Sequence, residues 1–144
     1  SITPRLKSAS DQGMAAAQLT YSQRLIATNL NPSEEIKSEY VELVRRAKAS
    51  GNANAIFWSG YDGLKGVNGQ DKVQSVADLM VAEAVFRKFG VRLSTAKIVE
   101  KEYQLLYPDQ REDAMALARE MVASDTCCNF MSVKKSWEER LAEE

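Results

Sequence analysis

The chain has 144 residues, 44% of them apolar and 27% charged, which suits one globular domain with a hydrophobic core. Its 19 basic and 20 acidic residues give a formal net charge of −1, so no overall positive field attracts a polyanion, and duplex DNA is disfavoured as a ligand. No apolar run approaches the roughly 18 residues needed to cross a bilayer, so we expect no membrane span.

The amino-terminal segment is basic and has no hydrophobic period. Residues 1–9, SITPRLKSA, contain Pro4, which disfavours helical geometry in the residue before it. We therefore predict an extended arm over 1–9, and we predict that Arg5 and Lys7 contact a protein partner. The rest of the chain, 10–144, is predicted to form one helical domain.

Two helices are predicted to follow the arm. Apolar residues recur at helical spacing over 10–29 and indicate the first helix. The run NPSEE has the features of a second helix start, with Asn31 as the cap and Pro32 in the first turn, where its missing N–H costs nothing. Gly51 suits the left-handed conformation that ends many helices, so the second helix is expected to stop there.

The stretch GYDGLKGVNG places glycine at every third position over residues 60–69, and we predict a flexible loop there. It does not form a Walker loop, because Lys65 comes before Gly66 and no Ser or Thr follows. Its GLKG and GVNG pieces match the G-x-x-G clamp of KH RNA-binding domains, but that clamp belongs to an α/β fold. RNA binding through the loop is therefore disfavoured and kept only as an alternative.

Three aromatic residues, Phe57, Trp58 and Tyr61, lie beside the predicted loop. Large aromatic side chains are common anchors of protein–protein contacts, and Trp and Tyr are enriched at interface hot spots. We predict that these three residues and Lys65 bind a protein partner. The alternative is that the rings fold back and plug one end of the bundle.

Four more helices are predicted after the loop. Residues 72–89 are apolar on several sides, which is typical of a helix at the centre of a bundle, and Gly90 is suited to end it. The next helix is predicted to begin at Ser94, and Pro108 prevents its continuation. Another is predicted to start at Asp109. The last predicted helix carries Phe130, Val133, Trp137 and Leu141.

The predicted fold class is all-α. Only the short run VRL at 91–93 offers a candidate strand, since no alternation of period two persists elsewhere. We predict a single bundle of five to six helices, with an irregular amino-terminal arm and a Gly-rich loop at 60–69.

Candidate catalytic and metal-binding residues are few. The sequence contains no histidine, which excludes Ser-His-Asp and Cys-His catalysis and the zinc sites that use His. Two S-x-x-K matches, at 94–97 and 132–135, lack any partner motif. The carboxylates lie in predicted first turns or on polar helix faces, and not on an inner stripe. We therefore predict neither an enzyme nor a metal site.

The only cysteines, Cys127 and Cys128, are neighbours. Adjacent cysteines rarely bridge each other, so we expect no disulfide and predict a reducing intracellular compartment, either the cytoplasm or an organelle interior. Both are predicted to lie near the amino end of the last helix, where the helix dipole favours a thiolate. We interpret them as small buried hydrophobic residues, and attachment of a ligand or pigment through one sulfur is the alternative.

The leading functional hypothesis is a non-catalytic interaction or assembly subunit, of the linker or accessory kind. It would bind a larger protein complex through its arm and its aromatic Gly-rich loop. No cofactor is predicted. The first alternative is a helical binder of a small ligand or pigment attached at Cys127 or Cys128, and the second is an RNA-binding module that uses the G-x-x-G loop.

Overall fold

The computed structural model describes Lys7, residues 15–28 and residues 31–129. Within these ranges the chain forms helices and no strand, so the all-α class with five to six helices is confirmed. Arg5 and the last predicted helix lie outside the described residues. Lys7 is exposed and has helical backbone geometry. The helices are α1 (Ala15–Ala27), α2 (Glu34–Ala49), α3 (Ala53–Leu64), α4 (Lys72–Lys88), α5 (Ala96–Leu105) and α6 (Pro108–Ala123).

The chain contacts divide the protein into two compact units. In the described residues, the first unit contains α1, α2, the first residues of α3 and Asn129. The second unit runs from Ile56 to Cys128 and contains the rest of α3 with α4, α5 and α6. The single domain over 10–144 stays a prediction.

The first unit is built on the packing of α1 against α2. Tyr21 of α1 and Leu43 of α2 are buried together, with Leu25 packed against them. The cap of α2 is Ser33, whose Oγ accepts a hydrogen bond from the Ile36 N–H at 3.2 Å. The predicted cap, Asn31, is therefore wrong by two residues, because the serine hydroxyl lies nearer to the unpaired N–H groups of the first turn.

The end of α2 agrees with the prediction. Gly51 has a φ of 80°, which is the left-handed region that favours glycine. Beyond the turn, the Asn129 N–H donates to the Gly51 carbonyl at 2.8 Å and the Ala53 N–H donates to the Asn129 carbonyl at 2.9 Å. These two bonds form an isolated bridge between Asn52 and Asn129.

The second unit is built around α4, which packs against α5 and α6. Buried residues occur on several sides of α4, as its sequence predicts, and Val76 and Ala77 join Leu106 and Ala114 in one core cluster. The cap is Asp71, whose carboxylate accepts from the Gln74 N–H at 2.8 Å. Two predicted helix starts differ from the structure. The helix predicted to begin at Ser94 is α5, which follows Thr95, and the helix predicted to begin at Asp109 is α6, which follows Tyr107.

Two of the four glycines in GYDGLKGVNG lie inside α3, so the predicted loop is shorter than expected. Gly60 and Gly63 are buried against α4, and a Cβ on Gly60 would lie 2.7 Å from the Ser75 carbonyl oxygen. Gly66 and Gly69 have φ values of 75° and 73° and lie in the turn that follows. The first pair therefore permits close helix packing, whereas the second pair permits the turn.

Candidate functional site

The candidate site is the aromatic face of α3, which we define as Phe57, Trp58, Tyr61 and Lys65. The Phe57 and Tyr61 rings stack with 5.8 Å between centroids and 12° between planes. The Trp58 ring meets both edge-on, at 5.3 Å from Phe57 and 5.8 Å from Tyr61. Offset stacking and edge-to-face contact are the geometries that aromatic quadrupoles favour.

Helical spacing brings these side chains together. Phe57 and Tyr61 are four residues apart, which places them one above the other on the helix surface. Lys65 follows Tyr61 by four more residues, and its Nζ lies 4.2 Å from the centroid of the Tyr61 ring. α3 therefore carries two stacked rings in a row with the indole of Trp58 beside them, and Lys65, the residue directly after the helix, continues the row.

The three rings are half-buried, while Lys65 is exposed. A core plug would bury the rings fully, and a free loop would leave them open to solvent. The rings are instead partly accessible. That Phe57, Trp58, Tyr61 and Lys65 bind a partner stays a prediction.

The opposite face of α3 is fixed against α4 by the glycine contacts and by a buried polar network. Asp78 is fully buried, and its two carboxylate oxygens accept hydrogen bonds from Gln70 Nε2 and Gln74 Nε2, each at 2.9 Å. Gln70 Nε2 also lies 3.4 Å from the Ser59 carbonyl, to which Asn68 Nδ2 donates at 2.9 Å. The turn after α3 is therefore held by side chains at several points.

This network was missed in the sequence. The Asn68 side chain takes part in it as well: its Nδ2 donates to the Ser59 carbonyl, and its Oδ1 accepts from the Gln70 N–H. A usable signal was present: Gln74 and Asp78 are four residues apart within an apolar helix, and Gln70 lies four residues before Gln74. Polar side chains on the inner face of a helix need hydrogen-bond partners, so this spacing indicates a buried hydrogen-bond network.

Cys127 and Cys128 are joined by a cis peptide bond, and their Cα atoms lie 3.0 Å apart. The expectation that they do not bridge stays a prediction. Both are half-buried in the turn after α6, and the helix that was predicted to follow them lies outside the described residues.

No protein-family model, curated protein or solved structure matches this chain. Among the described helices, none combines the length and the apolar character that crossing a membrane requires.

Proposed function

We propose that this protein is a non-catalytic interaction or assembly subunit that binds a larger protein complex through the aromatic face of α3. The observation that carries the proposal is the packing of Phe57, Trp58 and Tyr61 into one half-buried cluster. Half-buried Trp and Tyr residues are the residue types that most often dominate binding energy.

The cluster is preorganised, which lowers the cost of binding. Each ring contacts the other two, and the Lys65 Nζ lies over the face of the Tyr61 ring. The helix beneath the rings is fixed by Gly60 and by the Asp78 network, so little freedom is lost when a partner arrives. A matching surface would be apolar at its centre and acidic where it meets Lys65.

The two alternatives have weaker support. For a pigment or ligand attached at Cys127 or Cys128, the only support is that both residues are half-buried in the turn after α6. An RNA clamp needs mobile glycines beside phosphate, whereas Gly63 is buried against Ser75 in a helix contact. The net charge of −1 also offers little attraction to RNA.

The experiment compares three versions of the full chain, each expressed in its native cells and separated by size exclusion of a gentle extract. Wild type should elute with a complex much larger than 16 kDa. Trp58→Ala should elute as the free protein, because it removes the largest ring of the aromatic face. The matched control is Leu105→Ala, which removes an apolar side chain that is 60% exposed on α5 and should elute like wild type.

Two results would contradict the proposal. Wild type could elute only as the free chain, or Trp58→Ala could stay in the large complex. Circular dichroism of the purified variants shows whether a change in elution comes from unfolding.

A further inference from the structure

A second exposed surface runs along α6, on the side away from its core residue Ala114. We define the α6 outer face as Pro108, Glu112, Met115, Arg119 and Val122, all of which are exposed. Met115 and Val122 are large apolar residues with 36% and 50% of their surface accessible. Pro108, Met115 and Val122 follow one another at intervals of seven residues, so they form one stripe along the helix.

A shallow groove of about 380 Å³ lies beside this stripe, between α4 and α6. It is lined by Met80, Val81 and Ala84 of α4 and by Met115 and Val122 of α6, and Arg119 is the only charged residue in its lining. An apolar groove next to an apolar stripe is the kind of surface that another helix covers.

Two opposite charges lie along one side of the stripe. Glu112 and Arg119 are exposed, and neither forms an ion pair with another residue in the described part of the chain. Seven residues of helix separate them by about 10 Å along the axis, so they do not pair with each other. At helical spacing both fall on the same side of Met115.

We infer that the α6 outer face is a self-association surface, on which two copies of this chain pair with their α6 helices antiparallel. A two-fold axis beside Met115 places Met115 against its own copy and Pro108 against Val122 of the second copy. The same axis brings Glu112 against Arg119 of the second copy, and Arg119 against Glu112. The apolar stripe is covered, and both charges gain a partner of opposite sign.

The charge order favours a second copy in this orientation. In a parallel pair the two copies of Glu112 would lie at one level and the two copies of Arg119 at another, on opposite edges of the stripe, so neither charge would gain a partner. The antiparallel arrangement gives each of the four charged side chains a partner of opposite sign without any other molecule. The surface differs from the aromatic face of α3, so the inference does not rest on the proposed function.

The test is sedimentation equilibrium of the purified full chain at concentrations up to about 1 mM, a range that covers weak pairs. Wild type should form a dimer. Glu112→Arg and Arg119→Glu should each raise the dimer Kd by about tenfold or more, because each places two like-charged pairs across the axis. The variant that carries both changes should regain the wild-type Kd, since it restores both opposite-charge pairs.

Glu100→Arg is the matched control, because Glu100 is exposed on α5 and lies outside the α6 outer face. This control and Trp58→Ala should both dimerise like wild type. A monomer at every concentration would overturn the inference. A dimer that both single reversals leave intact would also overturn it, as would a double variant that stays as weak as the single ones.

Discussion

At the scale of single residues, Gly60 and Gly66 are glycine for different reasons. A side chain on Gly60 would collide with backbone and side-chain atoms of α4, while Gly66 has open space around it and a φ of 75°. The sequence shows only that glycines recur every three residues. Whether each serves a helix contact or a turn depends on where α4 lies, and that is a tertiary fact.

Gly60→Ala should destabilise the protein by about 1–3 kcal/mol, the usual cost of overpacking a close contact. The added Cβ would lie 2.7 Å from the Ser75 carbonyl oxygen and 2.8 Å from Leu79 Cγ, and backbone cannot move aside cheaply. Urea unfolding measures the change. Asn54→Ala, at an exposed position of the same helix, is the control and should be neutral or slightly stabilising. A stabilised Gly60→Ala would show that α3 does not approach α4 this closely.

Glu42 should titrate far below an ordinary glutamate. Its pKa is lowered from 4.5 to about 2, first by the hydrogen bond from Arg45 and then by the bond from Arg46. The pKa of Glu42 is lower in the folded protein than in the unfolded chain, so its ionised carboxylate stabilises the folded state. This stabilisation is complete above pH 4.5 and is lost as the pH falls towards 2. The pair is exposed, so the loss is small.

An NMR titration of the Glu42 carboxyl carbon measures this pKa directly. Arg45→Gln should raise it towards 4.5. Arg46→Gln is the matched comparison and should raise it less, since the Arg45 bond at 2.6 Å is the larger cause. Equal effects of the two substitutions, or a wild-type pKa near 4.5, would contradict this account.

At the scale of elements, apolar spacing predicted the helices more reliably than it predicted their ends. The core of α2 and the several-sided burial of α4 follow from the positions of their apolar residues. The cap residues were harder to predict. Asn31 and Ser33 can both accept a hydrogen bond from the first turn of α2, and only the path of the chain decides which of them does. Most of α3 was missed because Gly60 and Gly63 lower helix propensity, and tertiary contact with α4 overrides that local cost.

Asp71→Ala should destabilise the second unit by about 1 kcal/mol, the typical cost of losing a helix cap. The substitution removes the acceptor of the Gln74 N–H at the start of α4. Asp71→Asn keeps a capping oxygen and should retain nearly all of the stability. Thermal unfolding of the three proteins distinguishes the outcomes, and an Asp71→Asn variant as unstable as Asp71→Ala would show that the cap is unimportant.

At the scale of the whole molecule, sequence reasoning identified the aromatic residues but not the surface they form. Trp and Tyr beside glycines suggested anchors on a loop, and the structure arranges Phe57, Trp58 and Tyr61 on a helix instead. The stripe on α6 was not recognised, because exposed and buried faces of a short helix cannot be separated until its neighbours are known. Arg5 lies outside the described residues, so its role in partner binding stays a prediction.

Trp58 should be accessible to a quencher in the free protein and shielded in the assembly. The indole is half-buried by Phe57 and Tyr61, so acrylamide should quench it less than free tryptophan but more than a core residue. Trp137→Phe leaves Trp58 as the only tryptophan, which makes the fluorescence specific. Complete shielding in the free chain would contradict the assignment of Trp58 to an open binding surface.

The most direct test of the proposed function is photocrosslinking from the aromatic face within native extract. A benzoylphenylalanine replaces Phe57 in one protein and exposed Leu105 in the control, and both are irradiated under the same conditions. The account predicts a covalent adduct between the Phe57 position and another protein, and little adduct from the Leu105 position. The absence of any adduct from position 57, or an equal yield from the two positions, would contradict the claim that this face binds a larger complex.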